Sequence, residues 1–252
     1  IPDIYSLEIY STNLKNLVNA SESILNEYKI KYSYLKELND LSGIPSVIKH
    51  LDFEGNKIEK ISPQAFTQFI HLRTLNLRLN QLKRIGEISF RSHALELLDV
   101  RENEMENFQR INFVWECFDF HLDLDSNELY NLPLIMGVVN QINMLTVGIQ
   151  QSNLWKQSNN FKLSLNNSIN VSKIVFKFNN GSIYSQAVIE SINSNLLIFN
   201  EFEVLLERNE FKSNQIYKFM NSLNPKRKVS FAFININDLI SEYWHFGHFG
   251  RS

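Results

Sequence analysis

Leu51-x-Phe53-x-x-Asn56-x-Ile58-x-x-Ile61 returns as Leu75-x-Leu77-x-x-Asn80-x-Leu82-x-x-Ile85, then as Leu98-x-Val100-x-x-Asn103-x-Met105-x-x-Phe108 and as Leu122-x-Leu124-x-x-Asn127-x-Leu129-x-x-Leu132. The four asparagines stand 24, 23 and 24 residues apart. A period in this range marks a solenoid, in which no repeat buries its apolar face alone and neighbours must stack. Leu51 and Phe53 alternate with His50, Asp52 and Glu54, the pattern of a short strand with one buried face. The asparagine falls where the chain leaves that strand. Its amide can satisfy backbone groups that the turn strips of partners, so Asn56, Asn80, Asn103 and Asn127 are expected to form a structural ladder down the molecule.

Working outward, the phrase persists in weaker form. Leu7-x-Ile9-x-x-Thr12 and Tyr28-x-Ile30-x-x-Ser33 keep the spacing with a hydroxyl in place of the amide, and Leu145-x-Val147-x-x-Gln150 continues it on the other side. That makes about seven repeats through residue 155. Phe66, Phe90 and Phe113 each follow their asparagine by ten residues and should stack as an aromatic spine. Gly137 departs from this column. Pro63 and Pro133 open outer segments, where a backbone donor is dispensable.

Over residues 49–132 this pattern resembles the leucine-rich repeat family. The long repeat with Phe at its tenth position resembles the class common in secreted and cell-surface animal proteins, insect immune proteins among them. The resemblance implies an α/β class: a curved solenoid with a parallel inner sheet, about seven regular repeats and irregular C-terminal strand–helix repeats. It implies a secreted, non-enzymatic protein that recognises a protein ligand, in immunity or host interaction. An intracellular, cytoplasmic adaptor or scaffold is the alternative.

Beyond residue 155 the phrase degrades. Residues 174–178, 196–206 and 229–233 read as strands, and Ser185 to Asn195 and Asn214 to Leu223 read as amphipathic helices. Residues 155–172 hold turn-forming clusters and look like an insertion. The expected division is a regular solenoid over 1–155 and irregular repeats or a capping region over 156–252. A separate small α/β domain competes with that reading.

The 252 residues contain one cysteine, Cys117, so no disulfide cap forms within the chain, and its register places it toward the interior. Asn19, Asn166, Asn170 and Asn180 begin Asn-x-Ser sequons and are candidate glycosylation sites. With 32 Asn and 29 Ser plus Thr, chance gives between three and four such matches, so the sequons do not fix the compartment. No apolar run approaches the roughly 20 residues that span a bilayer. The chain begins at Ile1 rather than Met, which fits a processed mature chain or a trimmed one. Residues 1–150 carry 14 Lys and Arg against 20 Asp and Glu, whereas residues 151–252 carry 11 against 7. The basic run Lys226-Arg227-Lys228 is short and reads as a solvated turn rather than a nucleic-acid site.

Outward positions of the repeated strands supply the candidate ligand-binding residues on the concave face: Asp52, Asn76, Arg78, Asp99, Arg101, Asp123 and Asp125. Asp99 and Asp123 stand on adjacent strands, about 4.8 Å apart, and need a nearby cation. His121-x-Asp123-x-Asp125 puts three metal-ligand types on one strand face, but successive side chains there are about 6.6 Å apart, too far for one ion. No phosphate loop, nucleophile elbow or Cys–His cluster is present, so no metal, cofactor or catalytic residue is assigned. The aromatic tail around Trp244 and His245 is expected to cover an open end of the solenoid.

Overall fold

The computed structural model describes residues 5–129, 133–149, 170–178, 199–207, 228–234 and 242–246. Its strands are β1 (Ser6–Tyr10), β2 (Glu27–Lys31), β3 (Glu37–Leu38), β4 (His50–Asp52), β5 (Lys60–Ile61), β6 (Thr74–Asn76), β7 (Arg84–Phe90), β8 (Leu97–Asp99), β9 (Asn107–Asp123), β10 (Leu134–Ile149), β11 (Asn170–Phe178), β12 (Phe199–Glu207), β13 (Lys228–Ile234) and β14 (Glu242–Phe246). One long sheet runs β1-β2-β4-β6-β8-β9-β10-β11-β12-β13-β14, parallel throughout except for the last pair, where β14 runs antiparallel to β13. From β1 to β10, seven strands of this sheet are joined by six turns of a parallel-strand solenoid. Repeat positions pair with one another: Tyr28 with Leu51, Leu51 with Leu75, Leu75 with Leu98, Leu98 with Leu122.

The first two apolar residues of each phrase face one continuous core, in which Tyr28, Ile30, Leu51, Phe53, Leu75, Leu77, Leu98, Val100, Leu122 and Leu124 are buried. The Tyr28 hydroxyl donates to the Val18 carbonyl, and burial pushes its pKa up to about 12. Behind the sheet, Phe66 stacks on Phe90 at 5.9 Å and Phe90 lies against Phe113 at the same separation. The column then turns inward. Phe113 meets Phe120 edge-on at 5.1 Å, and Gly137 takes the place of a fourth phenylalanine. Gly137 has φ +96°, and a Cβ there would lie 2.0 Å from the Phe113 carbonyl oxygen. Backbone, rather than a side chain, fills that position.

The ladder residues bind the turns to one another. The Asn80 amide donates to the Phe53 carbonyl one turn back (2.9 Å) and to the Leu77 carbonyl of its own turn (3.0 Å), while its oxygen accepts from Ile58 N–H. Asn103 does the same with Leu77 O, Val100 O and Leu82 N–H. Asn127 does so with Val100 O, Leu124 O and Met105 N–H. At the N-terminal end Thr12 and Ser33 join hydroxyl to hydroxyl at 3.0 Å, a shorter link between turns.

The residue before each ladder position adopts the left-handed conformation: Ser11, Tyr32, Gly55, Leu79, Glu102 and Ser126 all have φ between 49° and 70°. Five of the six are therefore L-residues in a region costing roughly 1–2 kcal/mol. Hydrogen bonding offsets this cost. Ser11, Tyr32, Gly55, Leu79 and Glu102 each donate N–H to a carbonyl of the next turn at 2.9–3.1 Å.

No helix occurs among the described residues. The outer segments instead pair between turns, β3 with β5 and β7 with β9, both in parallel. A turn of about 23 residues leaves an outer segment of only about ten. Short, β-branched or aromatic pieces such as Ile85 to Phe90 satisfy their backbone by pairing with a neighbouring turn more readily than by nucleating a helix. The helices expected at Ser185 to Asn195 and Asn214 to Leu223, and most of the expected insertion, lie outside the described residues.

Candidate ligand-binding face

The solvent face of the long sheet is built from two columns per strand, four and two residues before each ladder position. The first column is Asp52, Asn76, Asp99 and Asp123. Each of these side chains accepts a hydrogen bond from the backbone N–H two residues ahead, at Glu54, Arg78, Arg101 and Asp125, over 3.0–3.1 Å. These short polar groups therefore brace the bend that enters the left-handed residue. Asp99 and Asp123 are only 4 % and 7 % exposed, which corrects the expectation that their side chains stand outward in solvent.

Arg101 closes the acidic pair. Its Nε and Nη2 meet Asp99 at 2.9 and 2.5 Å, and its Nε lies 3.3 Å from Asp123 Oδ2. Hydrogen bonding to Asp99 raises the guanidinium pKa, with both aspartates adding to the effect. One cation thus relieves the repulsion of two carboxylates on neighbouring strands. Asp125 accepts from Ser126 N–H at 2.8 Å. Substituting Asp123 by Lys would remove both the brace and the Arg101 contact, so its effect falls on stability as much as on recognition.

Toward the N-terminal turns the second column carries the network. Lys31 Nζ lies 3.2 Å from Asp52 and 2.6 Å from Glu54. The Tyr32 hydroxyl donates to Glu54 at 3.0 Å, and Arg78 reaches Glu54 at 3.8 Å and also pairs with Glu102. Lys31 sits 6.0 and 5.9 Å from the ring centres of Tyr10 and Tyr32, within cation–π range. Tyr10 and Tyr32 are 48 % and 46 % exposed. Tyr32 escapes sequence reasoning as a site residue. Its signal is the position immediately before a ladder residue, where the left-handed turn swings the side chain onto the rim and over Gly55.

Burial opposes the charge of Glu54, but hydrogen bonds from Lys31 and Tyr32 and the charge of Arg78 outweigh it and hold the carboxyl below its usual range. The stability this group contributes is present above the unfolded carboxylate pKa and is lost as pH falls through the lower folded value. Unfolding midpoints measured from neutral pH down to about pH 3 should fall more steeply for the native chain than for Glu54→Gln. Parallel curves would show that the network adds no pH-linked stability.

Cys117 is buried, its thiol 3.4 Å from the Leu95 carbonyl oxygen. Among the described residues no group of three His, Cys, Asp or Glu is placed to hold a metal ion, and no helix is long and apolar enough to cross a membrane. Of the sequon residues, Asn19 is exposed, Asn170 begins β11, and Asn166 and Asn180 lie outside the described residues.

Comparison with known proteins agrees with this architecture. Residues 46–105, which carry the first two of the four clear phrases and reach into the third, match the leucine rich repeat family. This part of the chain is built of leucine-rich repeats. Over 96 residues, 38 % of its length, the chain is 33 % identical to Toll-like receptor 7 of Drosophila melanogaster. The aligned part covers 7 % of that receptor.

Proposed function

We propose that this leucine-rich repeat protein is a non-catalytic, extracellular recognition protein of the immune type that binds a protein ligand on the solvent face of its long sheet. The observation that carries the reading is the composition of that face. Exposed Tyr10 and Tyr32 and partly exposed Arg78 and Arg101 share one rim, held in fixed rotamers by the carboxylates behind them. Tyrosine and arginine are the side chains that most often anchor protein interfaces, and ordering them beforehand lowers the entropy lost on binding. Asp52, Asn76, Asp99, Asp123 and Asp125 support this rim from below and around. The partial match to a Toll-like receptor favours the extracellular, immune assignment over an adaptor.

Two measurements test it. Mass spectrometry of the naturally produced protein should find a glycan on at least one of its sequon asparagines; its absence, together with cytoplasmic recovery, sinks the extracellular assignment. For a partner recovered from source fluid, Tyr10→Ala and Arg78→Ala should each weaken affinity roughly tenfold while leaving the melting temperature nearly unchanged. Added salt should slow association. A partner whose affinity survives both substitutions but is lost on changing Ile70 or Arg91 would place the interface elsewhere.

A further inference from the structure

A cleft of about 930 Å³ opens on the flank of the first three turns, away from the sheet face. Lys15 and Lys36 line it, each three residues after its ladder position, Thr12 and Ser33. They therefore stand in register on adjacent turns, which advance by about 4.8 Å. Lys57 completes the basic lining from the third turn, with its Nζ 4.0 Å from the ring centre of Tyr34 in the same cleft. None of these three lysines makes an ion pair among the described residues, whereas Lys29, Lys31, Arg78 and Arg101 on the sheet face all do.

The carboxylates in the lining are differently disposed. Glu37 accepts from the Asn39 amide, and Asp40 accepts from Ser42 N–H at 2.8 Å, so both are tied to their own loop. Side-chain amides and the half-exposed Tyr34 ring make up much of the remaining surface. Unpaired cations recurring turn by turn call for a ligand with repeated anionic groups. Interspersed carboxylates and amides call for hydroxyls between those groups, and an aromatic face suits a sugar ring. Glu59 is a third carboxylate of the lining, so the ligand's anionic groups must be spaced to meet the lysines and not the carboxylates.

We propose that this cleft binds a sulfated saccharide, with Lys15, Lys36 and Lys57 taking its sulfate groups and Tyr34 packing against a ring. The site is separate from the sheet face and does not depend on what that face binds. Asn19 also lines the cleft, so the reference protein carries Asn19→Gln to keep any attached glycan out of it.

The probe is a short heparin oligosaccharide, titrated calorimetrically at low salt. Expected are measurable binding that weakens with salt and a roughly tenfold or greater loss of affinity in the combined Lys15→Gln, Lys36→Gln and Lys57→Gln variant, with an unchanged melting temperature. Replacement of the three lysines by arginine should restore binding. Equal affinity of the reference and the glutamine variant overturns the proposal. So does equal binding of the desulfated oligosaccharide, or tighter binding of a polyglutamate peptide than of the sulfated probe.

Discussion

Asn103→Ala should lower stability by about 1–3 kcal/mol, clearly more than a substitution at the exposed Asn13. The wild-type amide donates to the Leu77 and Val100 carbonyls at 3.0 Å and its oxygen accepts from Leu82 N–H at 3.1 Å. Alanine leaves Leu82 N–H without its acceptor, at about 1–3 kcal/mol, while the Leu77 and Val100 carbonyls lose one donor each and keep the amides of Asn80 and Asn127. Asn103→Asp sharpens the measurement. It keeps the acceptor for Leu82 but sets a carboxylate against two carbonyls, so it should be no better tolerated than alanine. Urea unfolding of Asn103→Ala, Asn103→Asp and Asn13→Ala reads all three. Equal midpoints for Asn103→Ala and Asn13→Ala would show that the amide does not hold the turns together.

Phe90→Ala should cost more, about 3–5 kcal/mol, through a cavity in the middle of the spine. Phe90 is buried between Phe66 and Phe113, with ring centres 5.9 Å away on either side. Its loss removes contacts on two neighbouring turns at once. Because turns of a solenoid stabilise one another only through adjacent interfaces, the variant should also lose cooperativity and unfold in two steps. A single sharp transition with an unchanged midpoint would mean that the neighbouring rings close over the gap.

The ligand-binding face divides along a physical line. Which residues stand in its columns follows from a period of two along the strand and a period near 23 along the chain, and both are legible in the sequence. What each side chain does there depends on neighbours contributed by other turns. Asp99 and Asp123 read as an exposed acidic patch, yet each accepts a backbone N–H and a contact from Arg101 and is buried. Tyr32 reads as an ordinary turn residue until the left-handed backbone and the close approach of Gly55 place its ring on the rim.

By itself the sequence determined the stacking unit, the residues of the core and the ladder positions, because each depends on local alternation and on a repeat that every turn shares. It did not determine that the outer segments would be strands and turns. The same apolar spacing suits a short helix or an extended piece, and backbone pairing between turns decides the matter. Nor did it determine the break in the spine at Gly137, where the Phe113 carbonyl occupies the space of a side chain. Those outcomes, and the division of the charged face into buried braces and accessible anchors, belong to the tertiary structure, because burial and pairing are set by contacts between residues more than 20 positions apart.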